Sequence, residues 1–426
     1  GEMSLYTSSM SSSESNRYRL RMYVTEEYNP QGDGGGLEFS VKINVYGKDG
    51  DKMPVTTGPV ADVLLSGVGE NGAVNTTDPE QTFITGTDPN NYIWYSGKLW
   101  RAVSIDPSDN SVKLVTQWNI SIINYSSGST AFEGSYMEDW LNDTSVDGFL
   151  GNLRNYENFI VMDAKWNATE TTSTSKPSET TLVTDAVGLL NYYEYATTCR
   201  GIGCSNGYLN NGLYWWTLTP YDTSFLHFVS TLGDLRIYYS TGSYGIRPSI
   251  NLKSSVRIVS GNGTIDNPYR LNGDNDTNLA GTFLSSRYSG EYIRFGTGKN
   301  NLYRIVSHES DDLTKITSTE PLKSSEAFIT SVFGSNITFS SGNTVGIFLN
   351  GDYLTSYVGN DYTNMIEDTT TWYLGTVGDG TSYKLSKYTD TTGVTLTSNI
   401  TTAKVGLLRL GELMAGQFYK NESNMS

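Results

Sequence analysis

The chain has 426 residues, a formal net charge of −16 at pH 7 and 37% hydrophobic residues. That length points to two or three domains rather than one core. The acidic balance repels phosphate backbones and argues against nucleic acid as a partner, and no stretch approaches the ~20 apolar residues of a bilayer span. Tyr outnumbers Phe by 30 to 14 and Gly outnumbers Pro by 44 to 11, which suits folded β structure with ring-bearing surfaces better than a linker or a collagen-like chain.

Residues 1–16 are Ser-rich and polar, predicting a flexible arm or a segment ordered by a partner. Arg17 to Val24 alternates, with Tyr18, Leu20, Met22 and Val24 on one face; Glu38 to Tyr46 does the same with Phe39, Val41, Ile43 and Val45. Both read as strands of a long-looped hairpin across the Gly-rich stretch Asn29 to Gly36. The hairpin and a turn-rich connector around Val60 to Leu65 make an N-terminal region at 17–85. No secretion signal is visible at Gly1-Glu2-Met3, and the exported character argued below expects a signal or anchor removed before residue 1.

An internal repeat follows. Tyr92-Ile93, Leu99-Trp100-Arg101-Ala102-Val103-Ser104 and Ser111-Val112-Lys113-Leu114 reappear as Tyr292-Ile293, Leu302-Tyr303-Arg304-Ile305-Val306-Ser307 and Leu313-Thr314-Lys315-Ile316. The common order is that of a β-meander with an Arg inside its second strand and a Lys at the centre of its third. Tyr136 to Asn142 then matches Val345 to Asn350, each predicting a short helix ending at Asn. Val187-Gly188-Leu189-Leu190 with Glu194 matches Val405-Gly406-Leu407-Leu408 with Glu412. Three matched blocks in one order mark a complete repeat domain at 86–255 and a partial one at 256–426. Only the first copy continues through Tyr214-Trp215-Trp216 to Gly245-Ile246-Arg247-Pro248-Ser249-Ile250-Asn251-Leu252. A Gly/Asn-rich joint, Ser260 to Tyr269, separates them. On this reading the partial copy exposes a strand edge, to be closed by its own Met414 to Tyr419, by further chain, or by a strand from another subunit such as the arm or the hairpin at Arg17 to Tyr46.

These blocks resemble a family of uncharacterised exported surface proteins of Gram-positive bacteria. Its members carry a Leu-Trp-Arg strand (here Leu99 to Arg101), a Trp-Leu-Asn helix (Trp140 to Asn142), a Trp-rich strand (Tyr214 to Trp216) and a closing Gly-hydrophobic-Arg-Pro-x-hydrophobic-Asn-Leu (Gly245 to Leu252). The resemblance covers roughly residues 90–420 and implies an extracellular or cell-surface location, with no activity attached. The Gly-Ile-Arg-Pro ending is also similar to C-type-lectin-like domains. The second copy departs from the pattern, since Gly406-Leu407-Leu408 is not followed by the Trp block.

Candidate sites follow from residue chemistry. Cys199 and Cys204, with two Gly among the four residues between them, can close a small disulfide loop in an oxidising compartment. Arg101, Arg304 and Arg247 stand inside hydrophobic strands and read as structural cations pairing buried carboxylates, with Glu194 and Glu412 as the recurring partners. Most of Trp100, Trp140, Trp215 and Trp216 read as core. Between Ser205 and Tyr244, the residues Tyr208, Asn210, Tyr214, Tyr221, Asp222, Tyr238, Tyr239 and Tyr244 have the composition of a binding surface able to stack on sugar rings. No nucleophile elbow, His-Glu-x-x-His or P-loop is present. His227 and His308 read as packed or exposed rather than catalytic, and the oxygen-rich turn Asn272 to Asp276 reads as a turn rather than a calcium loop. The sequence thus predicts a mainly β, minor α protein without catalytic residues, metal or cofactor. It is expected to be an extracellular surface or filament-forming protein that self-associates through β-strand contacts, or alternatively a lectin-like binder of glycans or host-surface proteins.

Overall fold

The computed structural model describes residues 56–144, 148–274, 283–287, 290–298, 301–308, 313–324, 327–335, 338–374 and 400–408, all within one unit spanning Val55–Ser426. The arm at 1–16, the hairpin at 17–46, Glu412 and Met414 to Tyr419 lie outside the described residues. The fold is mainly β with minor α, as the patterning predicts.

The strands that carry the argument are β1 (Gly72–Asn75), β2 (Thr82–Gly86), β3 (Tyr92–Tyr95), β4 (Lys98–Ile105), β5 (Val112–Thr116), β6 (Ser121–Asn124), β7 (Trp215–Pro220), β8 (Phe225–Val229), β9 (Leu235–Tyr239), β10 (Ser243–Ile246), β11 (Ser249–Leu252), β12 (Tyr292–Arg294), β13 (Leu302–His308) and β14 (Thr314–Ser318). The short helices are α1 (Tyr136–Asn142), α2 (Tyr192–Thr198) and α3 (Thr344–Leu349).

The main sheet is built on the antiparallel meander β3–β4–β5, which sets Tyr92 opposite Arg101 and Ala102 opposite Leu114. β11 covers the other side of β5, with Ile250 opposite Leu114 and Asn251 opposite Lys113, and Val187–Gly188 pairs beyond it. Tyr269–Leu271 joins β3 in parallel and leads to Arg257–Ser260 and Gly58–Pro59. The hairpin β1–β2 attaches to the end of β4. The sheet therefore takes in strands from both sides of the 86–255 stretch. Val60 to Leu65, read as part of a connector, lies in a helix over Val60–Ser66 that buries Val60, Ala61, Val63 and Leu64. Its apolar spacing fits one helical face, a period hidden by the shortness of the run.

Every residue of β4 and β5 is buried, because the sheet is packed on both faces. Trp100, Ala102 and Leu114 face the larger core with Phe149, Trp166 and Ile250. Val103 and Val115 face a second cluster with Tyr195, Tyr208 and Trp215. Trp140, Trp215 and Trp216 are buried as expected. The helices start where the sequence supplies caps: the Ser135 side chain accepts from the Glu138 amide, and Asn191 and Glu194 form a capping box at α2, each satisfying amides that have no partner in the first turn. Cys199 caps the end of α2 and is disulfide-bonded to Cys204, their Cα atoms 4.8 Å apart.

A second sheet has the order β9–β8–β7–β10–β6, antiparallel except where Trp215 of β7 runs parallel to Gly245 of β10. Gly245 suits that position, since a Cβ would sit 2.6 Å from the Tyr214 carbonyl oxygen and closer still to the Asn119 side chain.

Beyond residue 290 the contacts of the first block recur. In the meander β12–β13–β14, Tyr292 lies opposite Arg304, and a register shift between Ile305 and Ser307 parallels that between Ala102 and Ser104. The central lysines sit over tryptophans, Lys113 4.9 Å from the Trp166 ring and Lys315 4.8 Å from that of Trp372. Trp166 donates to Asp185 O at 2.9 Å and Trp372 to Ala403 O at 2.8 Å. Asn142 exchanges two hydrogen bonds with the Val187 backbone, and Asn350 does the same with Val405. A Cβ on Gly188 or on Gly406 would meet the ring of Trp166 or Trp372 at 2.4 Å, so each Gly lets a backbone lie flat on an indole.

Candidate functional site

The inserted cations and their partners come first, because they separate scaffold from surface. Arg101 and Arg304 are each buried in the second strand of a meander; Arg101 does not take Glu194, and Glu412, the partner expected in the second block, lies outside the described residues. Arg101 donates Nε to Asn91 Oδ1 at 2.6 Å and Nη2 to Pro89 O, stacks 3.6 Å over the Tyr92 ring, and among the described carboxylates pairs with the exposed Asp88 at 3.5 Å. Arg304 donates to Gly290 O and lies over Tyr292. Arg247 donates to the carbonyls of Thr116 and Leu209 and sits over Trp215. Burial pulls it down to about 9. No carboxylate among the described residues pairs with Arg247, so the expected ion pair is replaced there by two backbone carbonyls and the Trp215 ring. Glu194 instead meets Lys113, with Gln81 on the same oxygen at 3.3 Å. Arg and Lys both recur between the blocks in the sequence, and the pairing of β4 with β5 decides that Lys113 rather than Arg101 reaches Glu194.

The Tyr-rich set divides. Tyr208 is a core residue: its hydroxyl donates to carbonyls of Ile84 and Ala102, and burial raises it. It therefore leaves the binding surface. Its neighbour Leu209, buried beside it, shows why: the loop that carries them plugs the second core cluster. Asn210 fixes that loop, donating to Ser205 O and accepting from Gly212 N. Asp222 accepts from the amides of Ser224 and Phe225 and so holds the β7–β8 turn. Tyr221 packs edge-on against His227.

The remaining tyrosines converge on β8–β9. Tyr238 contacts Tyr244 at 5.4 Å, Tyr244 contacts Tyr214 at 5.7 Å and stacks on Phe228 at 4.4 Å, and Phe228 and Tyr244 rest on the buried Trp216. The outward rings are thus backed by core. On the other face Tyr239 packs on Phe225, beside Ile237 opposite His227. His227 is stacked on Tyr192 and bonded to Thr171 O, and burial lowers it; it is packed, as expected. Tyr214 is 42%, Tyr238 46% and Tyr239 53% exposed, and Arg236 and Ile237 are exposed with them. β9 ends its sheet, and no strand among the described residues pairs with its outer side. The result is a two-sided aromatic ribbon with a hydrogen-bonding edge that no described strand covers. The sequence reading named its tyrosines but not Ile237, which is exposed beside them, nor Phe225, on which Tyr239 packs.

A third group joins the first block to the residues after 270. Asp274, expected to sit in a plain turn, is buried, pairs with Arg154 at 2.9 Å and accepts from Ser96 N at 3.0 Å. Glu291 pairs with both Arg154 and Arg287. The fully buried Lys98 lies against this group and donates to Ser96 O; burial pulls its ammonium down to about 7. These are ion pairs of a scaffold. Among the described residues no three His, Cys, Asp or Glu side chains are placed to hold a metal, and no helix is long and apolar enough to cross a membrane.

Searches of family models, curated proteins and solved structures found no match to this chain.

Proposed function

We propose that this is a non-enzymatic extracellular surface or filament-forming protein that assembles and adheres through exposed β strands. The observation that carries the reading is β9, an edge strand whose Arg236, Ile237, Tyr238 and Tyr239 are all exposed. Soluble proteins normally blunt such an edge with charge, Pro or a covering element; one rich in aromatics offers both backbone hydrogen bonds and ring area to a partner. The Cys199–Cys204 disulfide supports an oxidising compartment, where such bonds persist. A lectin-like role is the second reading, favoured by the exposed rings of Tyr214 and Tyr238, since tyrosine faces are rigid amphipathic contacts.

Two variants separate these. Ile237→Lys places a charge on the edge and should weaken self-association about tenfold, read by analytical ultracentrifugation of the full chain. Tyr214→Ala lies off that strand; it should leave self-association intact and remove signal on a glycan array only if the rings bind sugar. Unchanged self-association in Ile237→Lys would exclude β9 as the assembling edge.

A further inference from the structure

Arg247 lies where the chain crosses from the second sheet to the main one, between β10 and β11. Its guanidinium spans that crossing. Nε donates to Thr116 O, at the end of β5, at 2.8 Å, and Nη1 donates to Leu209 O, in the loop that plugs the second core cluster, at 2.6 Å. The remaining nitrogen, Nη2, is buried and has no hydrogen-bond partner among the described residues. The guanidinium carbon sits 4.7 Å from the Trp215 ring, whose Nε1–H is also buried and also lacks an acceptor. Both side chains are 1% exposed. A buried donor without an acceptor is costly, and more so on a charged group.

The charges around the pair point the same way. No described carboxylate pairs with Arg247, and the neighbouring guanidinium of Arg101 opposes its charge further. The described carboxylate on Arg101 is Asp88, which meets it from an exposed position. Tyr92, Tyr195 and Tyr208 also act on Arg247. Burial raises all three hydroxyls, so at neutral pH they are uncharged phenols. Tyr195 and Tyr208 direct their hydrogens to the carbonyls of Gly233, Ile84 and Ala102. Two cations therefore share this core with one peripheral carboxylate, and two buried N–H groups there still need an acceptor.

We propose that a single monatomic anion of the halide class, such as chloride, binds between the two sheets and accepts from Arg247 Nη2 and Trp215 Nε1. Size selects this class: Trp215 is packed among Phe83, Val115, Leu209 and Val229, and both donors lie beneath the surface, which leaves out peptides, sugars and phosphate esters. The ion ties the Arg247-Pro248 crossing to β7 and so acts on the junction of the sheets. The inference is separate from the assembly reading, because it concerns the stability of one chain and holds whether or not the chain self-associates.

The test is thermal unfolding of the full chain at neutral pH in sodium chloride and in sodium gluconate at matched ionic strength, from ~10 to ~300 mM, so that screening is the same in both. Gluconate is too large for the site. Chloride should raise the melting temperature over that range by about 2 °C relative to gluconate. Arg247→Met should lose this response. Trp215→Phe keeps an aromatic ring and removes one donor; it should need about tenfold more chloride for the same rise, and it carries the test if Arg247→Met does not fold. Crystals grown in bromide should show an anomalous peak beside Arg247 Nη2. An equal chloride response in the parent and Trp215→Phe, or bromide crystals without that peak, would overturn the proposal. So would a melting temperature indifferent to chloride, in which case any bromide peak is an adventitious ion only.

Discussion

Replacing Glu194 with Leu should destabilise the protein by about 3–5 kcal/mol, because it strands the buried Lys113 ammonium. Glu194 bonds Lys113 and Gln81 through one carboxylate oxygen and the Asn191 amide through the other. It therefore anchors β5 to α2 and completes the helix cap. Removing it leaves Lys113 with the Trp166 ring as its main described neighbour, and loses the cap's share of about 1 kcal/mol. Glu194→Gln keeps an acceptor and should cost less. Urea unfolding measured for the three proteins checks the order; a Glu194→Leu loss under about 1 kcal/mol would show that the pair is not holding the sheet to the helix.

The second large effect is pH-dependent and of opposite sign. Lys98 is fully buried, and burial moves its ammonium from 10.5 to about 7 against the raising influence of Glu291 and Asp274, with Arg304 and Arg154 adding to the depression. The folded state thus binds fewer protons than the unfolded state between those values, so this group's contribution to stability rises with pH across that window and is least favourable below pH 7. Lys98→Met keeps the length of the side chain and removes the charge. The variant should be more stable than the parent by up to ~4 kcal/mol at pH 6, with the advantage shrinking steadily toward pH 10. Unfolding free energies of both proteins at pH 6, 8 and 10 give the comparison. A variant that is less stable at pH 6 would mean that the ammonium is held by its neighbours more strongly than it is penalised by burial.

Much of this fold is written in its local patterns. Alternation and turn residues place the meander strands, and Asn at the end of a short apolar helix announces the paired amide contacts of Asn142 and Asn350. The two-Gly loop between Cys199 and Cys204 announces the disulfide. What could not be read was what depends on pairing distant segments. The register between β4 and β5 decides that Lys113 rather than Arg101 reaches Glu194. The joining of Asp274 and Glu291 to Arg154 spans more than a hundred residues of sequence. Tyr208 and Tyr238 look alike in a Tyr-rich stretch, and only the position of β9 at a sheet edge makes one a surface and the other core.

The central claim is that the chain works by joining strands with other molecules, and imaging it most directly tests that. Negative-stain electron microscopy of the full chain across a concentration series, with sedimentation velocity on the same samples, should show open-ended rows of subunits that lengthen with concentration. A single monomeric species at every concentration would contradict the account.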